Sequence, residues 1–157
     1  MSILVIGGAG FIGRRMIPIL AAGGHEVTCM DIDVAGATAA FSPLGDKVKI
    51  VRGDVTQIDD VIGAGQEAKA ERLINLSYII GDLTPHPSYK LDVQGMDNCF
   101  EAARRMGVRH TVFASSLAVS GQQKHFGDRL VDEEDERKGE TQYAINKIIN
   151  EWQANDY

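Results

Sequence analysis

The apolar positions of this chain alternate between short continuous runs and helical spacing. Ile3-Leu4-Val5-Ile6 is a bounded apolar run and predicts a buried strand. A helical pattern follows through Ile12, Met16, Ile19 and Leu20, which share one face. Gly23 and Gly24 end it, and Pro18 inside it is expected to kink it or loosen one turn. Further strands are predicted over Val27 to Met30 (closed by Asp31), Val48 to Val51, Leu73 to Leu76 and Thr111 to Ala114. A long helix from about Ser88 to Met106 carries Tyr89, Val93, Met96, Phe100 and Ala103 as one apolar stripe that covers a sheet. A last helix starts near Thr141, passes Trp152 and ends near Asn155. Strands alternating with helices imply βαβ units and a parallel sheet covered on both faces. Residues 115–140 read as a long solvated connection, with the acidic run Asp132-Glu133-Glu134-Asp135-Glu136.

A length of 157 residues suits one domain with one sizeable core, and no internal repeat or linker divides it. The net charge of -6 argues against a nucleic-acid binder, which needs basic faces to neutralise phosphates. No apolar run is long enough to cross a bilayer, and no leader pattern precedes the first strand, so no membrane partner is expected. Cys29 and Cys99 lack the spacing of a disulfide framework or a zinc site. The reducing cytoplasm is the expected compartment. His25, His86, His110 and His125 lack metal-ligand spacing, so no metal is expected.

Gly8-Ala9-Gly10-Phe11-Ile12-Gly13 fits G-x-G-x-x-G, and Gly7, Gly10 and Gly13 fit the related G-x-x-G-x-x-G. The match stands between a strand and an amphipathic helix, where such a turn binds a dinucleotide. Glycine permits the tight turn, and its missing side chain lets the backbone reach a pyrophosphate at the helix N-terminus. No Lys-Ser or Lys-Thr follows, which removes a nucleoside-triphosphate loop from consideration. Asp31 closes the second strand about 20 residues on, where a carboxylate takes the ribose hydroxyls of NAD. It would repel the 2′-phosphate of NADP, and no Arg or Lys lies between Asp31 and Asp46 to offset it. NAD is the expected cofactor.

Tyr143 and Lys147 have i, i+4 spacing on a predicted helix and point the same way. An ammonium beside a phenol stabilises the phenolate, so the pair can serve as a general acid/base. Ser115-Ser116 stands at the carboxyl end of the fifth strand, where ligands bind in such sheets. A hydroxyl there can steady an oxygen whose charge develops during hydride transfer.

Taken in order, these motifs resemble a known family. Gly7-Gly8-Ala9-Gly10-Phe11-Ile12-Gly13, Asp31, Gly53-Asp54-Val55, Asn75-Leu76-Ser77, Asp92-Val93-Gln94-Gly95, Ser115 to Gly121 and Tyr143-Ala144-Ile145-Asn146-Lys147 together resemble the extended short-chain dehydrogenase/reductase family, in its NAD-dependent epimerase/dehydratase group. The resemblance covers essentially the whole chain. It implies that Tyr143 is the acid/base, that Lys147 binds nicotinamide ribose and tunes Tyr143, and that Ser116 rather than Ser115 is the catalytic serine. It also implies that Phe11 and Ile12 offer backbone donors to the pyrophosphate. Asp54 and Val55 then flank the adenine, and Leu76 and Ser77 lie along the cofactor.

This sequence departs from the family pattern at several positions. Asp92 stands where Asn is frequent, Ser77 where a small Ala is usual nearby, and Ser120 where Tyr is frequent. Leu117 and Ala118 replace the Asp-Glu of water-eliminating members, which disfavours that chemistry. The family is typically about twice as long and adds further strands and a substrate region, so this chain resembles the cofactor half.

The expected fold is α/β, a Rossmann-type doubly wound parallel sheet in the order 3-2-1-4-5, forming one NAD-binding domain over residues 1–157. The expected function is an NAD-dependent oxidoreductase or epimerase acting on a hydroxyl- or keto-bearing small molecule, with nucleotide sugars the leading class. The alternative is a non-catalytic NAD-binding module or sensor, or an inactive fragment. Family members commonly dimerise through the helices after strands four and five, so a homodimer is expected, with Leu91, Ile148 and Trp152 on its face.

Overall fold

The computed structural model describes residues 1–81 and 84–157. Strands β1 (Ser2–Ile6), β2 (Glu26–Asp31), β3 (Val48–Arg52), β4 (Arg72–Asn75) and β5 (His110–Phe113) form one parallel sheet, in the order β3-β2-β1-β4-β5. This is the order expected from the sequence. The chain winds from β1 first to one side and then to the other, which opens a crevice above the carboxyl ends of β1 and β4.

β1 is buried along its whole length, as a central strand covered on both faces should be. Its residues alternate between two cores. Ile3 and Val5 pack with Ile17, Ala21, Ala37 and Phe41 from helices α1 (Gly13–Ala22) and α2 (Val34–Phe41). Leu4 and Ile6 pack with Val61, Ala64, Cys99 and Ala102 from α3 (Ile58–Ala68) and α5 (Gly95–Met106).

Helices α2 and α3 lie beyond the periodicity argument. α2 is a short, almost wholly apolar segment with no polar face to set a period, and its start is fixed by Asp33, whose carboxylate accepts from Gly36 N at 2.9 Å. α3 buries Val61, Ala64 and Gly65, a helical spacing blurred by the glycines inside it.

Two expected faces are corrected. In α1 the buried positions are Gly13, Ile17 and Ala21, while Ile12 and Ile19 are exposed. The close approach of Gly13 to the strand–helix turn sets the inward face, and it leaves Met16 and Leu20 only partly buried. The helix runs on through Pro18 to Ala22.

The second correction concerns Tyr89. A short helix α4 (Pro85–Ser88) continues as a π-helical stretch, Tyr89–Gln94, into α5. The wider π turn inserts extra chain per turn, so a step of four no longer returns to the same face. Val93, Met96, Phe100 and Ala103 stay buried, whereas Tyr89 turns out to solvent.

The last helix, α6 (Gln142–Asp156), begins where expected, with Thr141 Oγ1 accepting from Ala144 N at 3.1 Å. Residues 115–140 contain two short 3-10 turns, at Leu117–Ser120 and Gln123–His125. The acidic run is mostly exposed, but Asp135 pairs with Arg129 at 2.6 Å, which holds its carboxyl down at about 2. Among the described residues no helix is long and apolar enough to cross a membrane.

Candidate cofactor and catalytic site

The glycine turn is built by close approach. Gly7 has φ +73°, and a Cβ there would come within 2.5 Å of Ser77 N, so the turn lies directly against the chain leaving β4. A Cβ on Gly13 would overlap the backbone of Gly8, which is why α1 can begin so close to β1. Gly7 N donates to Met30 O at 2.9 Å and Gly10 N to Gly7 O at 3.2 Å, which locks the turn. Phe11 and Ile12 expose their side chains, and among the described residues their N–H groups have no hydrogen-bond partner. A glycine cradle with free donors at the N-terminus of a 10-residue helix fits a pyrophosphate.

Asp31 reaches back to this turn. Its Oδ2 accepts from Ala9 N at 2.8 Å and its Oδ1 from Asp33 N at 3.0 Å. It lines a small hollow of about 70 Å³ with Gly53, Asp54, Val55 and Leu91, and Gly7 and Ser77 close that hollow on the other side. Asp54 Oδ1 accepts from Thr56 N and Thr56 Oγ1, both at 2.9 Å, so part of this carboxylate holds its own turn. Val55 is buried and its carbonyl accepts from Asn98 Nδ2 at 2.9 Å.

A second cavity, of about 280 Å³, continues from Gly7 and Ser77 toward the other candidates. Gly7, Gly10, Phe11 and Ile12 form one wall, Asn75 to Tyr78 a second, and Ala114, Ser115, Tyr143 and Lys147 a third. Lys147 is 3% exposed. Its Nζ donates to Ala114 O at 2.6 Å, and lies 3.4 Å from the ring centroid of Tyr78 and 5.8 Å from that of Tyr143. Burial pulls the ammonium from an ordinary 10.5 to about 8, with Asp92 opposing the fall.

Ser116 sits next to this cavity. It lines an adjoining hollow of about 380 Å³, and its Oγ accepts from Ala118 N at 3.2 Å as the cap of the first 3-10 turn. Ser115 lines both hollows and donates to Glu151 Oε1 at 2.6 Å. A separate hollow of about 530 Å³ among His25, Asp46 and Lys49 lies at the opposite strand ends and shares no residue with the glycine turn. Among the described residues no cluster of His, Cys, Asp or Glu is placed to hold a metal.

The structure adds side chains that the sequence argument did not place. Asp92 is 1% exposed; its Oδ1 accepts from Ile79 N at 3.1 Å and its Oδ2 from Ser88 Oγ at 2.9 Å and Asn146 Nδ2 at 3.2 Å. Asn150 Nδ2 donates to the Asp92 carbonyl at 2.9 Å. These bonds tie the π-helical stretch to α6 and so set where Tyr143 and Lys147 stand. Arg14, on α1, reaches the start of α2, where a Cβ on Gly36 would lie 2.9 Å from Arg14 Nη2. Its Nε also donates to the carbonyl of Ala9, the residue whose N–H is held by Asp31, so a cation from outside the Asp31 to Asp46 segment stands at this turn. Tyr78 lies beside both Lys147 and Tyr143, its ring T-shaped to that of Tyr143 with centroids 5.4 Å apart at 85°.

Comparison with known proteins agrees with this fold. Residues 3–157 match the model of the NAD dependent epimerase/dehydratase family. The chain is 26% identical over 156 residues to a UDP-glucose 4-epimerase of Lacticaseibacillus casei, covering 96% of this chain and 46% of that protein. It is 27% identical over 122 residues to the 3 beta-hydroxysteroid dehydrogenase type 7 of Mus musculus, covering 75% of this chain and 33% of that protein. Among solved structures, the Thermus thermophilus UDP-glucose 4-epimerase in complex with NAD superposes with a TM-score of 0.87 at 26% identity, covering 100% of this chain and 50% of that one. The chain therefore spans about half the length, or less, of these relatives. With its doubly wound sheet, glycine turn and full-length match, the chain belongs to the NAD dependent epimerase/dehydratase family.

Proposed function

We propose that this chain is the NAD-binding Rossmann unit, over residues 1–157, of an oxidoreductase or epimerase that acts on a hydroxyl- or keto-bearing small molecule, with nucleotide sugars the leading class. One observation carries the reading: a single cavity joins the glycine turn, through Gly7 and Gly10, to Tyr143 and Lys147. A UDP-glucose 4-epimerase among the relatives supports the substrate class.

In this reading Phe11 and Ile12 donate backbone N–H bonds to the pyrophosphate, with Gly7, Gly10 and Gly13 allowing the approach. Asp31 holds the adenine ribose, Asp54 and Val55 flank the adenine, and Leu76 and Ser77 line the path to the nicotinamide. NAD, when bound, supplies the hydride acceptor. Tyr143 as phenolate takes the proton of the substrate hydroxyl, Lys147 favours the phenolate by its charge, and Ser116 hydrogen-bonds the substrate oxygen. Ser116 needs only to exchange its cap bond for one toward the neighbouring cavity, whereas Ser115 is held by Glu151. The family-wide expectation of a homodimer through α5 and α6 belongs to the same proposal.

The test is NADH formation from NAD, for net oxidation, together with interconversion of sugar epimers, for the redox-neutral reaction, with a panel of UDP-sugars and the gene product that carries this chain. Tyr143→Phe should lower turnover by about 10² or more while leaving NADH affinity nearly unchanged. Turnover retained in Tyr143→Phe would remove Tyr143 from the reaction.

A further inference from the structure

Tyr78 occupies an unusual place among the groups around Lys147. It follows Leu76 and Ser77 on the chain leaving β4, and it lines the cavity with Lys147 and Tyr143, in contact with both. The Lys147 ammonium lies 3.4 Å from the ring centroid, inside the range of a desolvated cation–π contact. The ring also packs T-shaped against Tyr143, with centroids 5.4 Å apart. The Tyr78 hydroxyl is buried and has no hydrogen-bond partner among the described residues, so it is the ring that makes the identified contacts.

Lys147 has few other ways to keep its charge. One proton goes to Ala114 O. Among the described residues no carboxylate forms an ion pair with it. The charged and titratable groups around it are Asp92 on the π-helical stretch, Tyr78 on the β4 exit and Tyr143 on α6, with Glu151 one turn further along α6. The Asp92 carboxylate is already taken by Ser88, Asn146 and Ile79, and Glu151 by Ser115 and Arg137. Burial works against the ammonium, and the Ala114 carbonyl and the electron-rich face of Tyr78 are the groups in direct contact that favour it.

We infer that Tyr78 is a positioning residue whose aromatic face holds the buried Lys147 ammonium charged and in place beside Tyr143. The inference deepens the assignment of Tyr143 and Lys147 as the acid–base pair, and rests on it for its functional meaning. A ring that only filled space would act in the opposite sense, since by excluding water it would push the ammonium toward neutrality.

That difference in sign makes the inference testable on the chain as it stands. The probe is the NMR titration of the Lys147 Cε resonance, identified as the signal that Lys147→Arg removes. Tyr78→Phe keeps the ring and should leave the midpoint near its original value of about 8. Tyr78→Leu keeps the bulk but loses the π face, and should lower the midpoint by about one pH unit. A midpoint that is unchanged or raised in Tyr78→Leu overturns the inference. Should Tyr78→Leu not fold, progressively fluorinated phenylalanines at position 78 keep the shape while weakening and then reversing the ring quadrupole. The midpoint should fall stepwise along that series, and a flat series overturns the inference equally. The titration reads the ammonium and not turnover, so it can fail while the Tyr143→Phe assay succeeds, and the reverse.

Discussion

At the scale of single residues, the site depends on where a side chain cannot be. Gly7→Ala would place a methyl 2.5 Å from Ser77 N in a left-handed conformation, so it should weaken NADH binding and cost about 1–3 kcal/mol in urea unfolding. Lys147 makes a second residue-level prediction. Folding lowers its pKa from 10.5 to about 8, so between those values the unfolded chain holds more protons than the folded one. Its penalty is full below about 8 and is relieved as pH rises toward 10.5. Native stability relative to Lys147→Met should therefore rise across that window in paired urea titrations, and a flat difference would contradict the shift. The glycines, Asp31, Tyr143 and Lys147 were legible because each carries its chemistry in a fixed local spacing. Tyr78 and Arg14 were not, because their roles come from partners that only the fold brings near.

At the scale of elements, strand order and the ends of most strands followed from apolar runs and turn residues, since a buried parallel strand has little freedom in what it can contain. The helix faces were read less well. The stripe through Tyr89 failed at the π-helical stretch, where the helical period itself changes, and no spacing rule signals that change. What stabilises that stretch is polar and long-range: Asp92 and Ser88 bonded to Asn146, and Asn150 bonded to the Asp92 carbonyl. Asn146→Ala would remove one buried donor from both the Asp92 carboxylate and the Ser88 hydroxyl, so it should cost about 1–3 kcal/mol by urea denaturation. Such a loss is larger than an exposed helical Asn→Ala change could produce. A loss near zero would show that water or neighbouring side chains readily replace these bonds.

At the scale of the whole molecule, the surface of α6 carries the exposed Ile145 and Trp152 at i, i+7 spacing, on one face of the helix. Leu91, expected on the same face, instead packs into the core beside α3 and α5, and Ile148 is half-buried. We expect self-association through the Trp152 face, giving more than the 17.0 kDa monomer by light scattering, and Trp152→Glu should return the monomer. If a charge placed on edge strand β5 disperses it instead, the sheet edge is the contact. Association is secondary to the central claim, that the glycine turn and Asp31 select NAD. Calorimetry on the wild-type chain and on Asp31→Ala tests it most directly. NADH should bind wild type more tightly than NADPH. Asp31→Ala should narrow that gap, because the carboxylate that would repel a 2′-phosphate is lost while Arg14 stays bonded to the glycine turn at Ala9. Equal affinity of the wild-type chain for NADH and NADPH, or tighter binding of NADPH, would contradict the account.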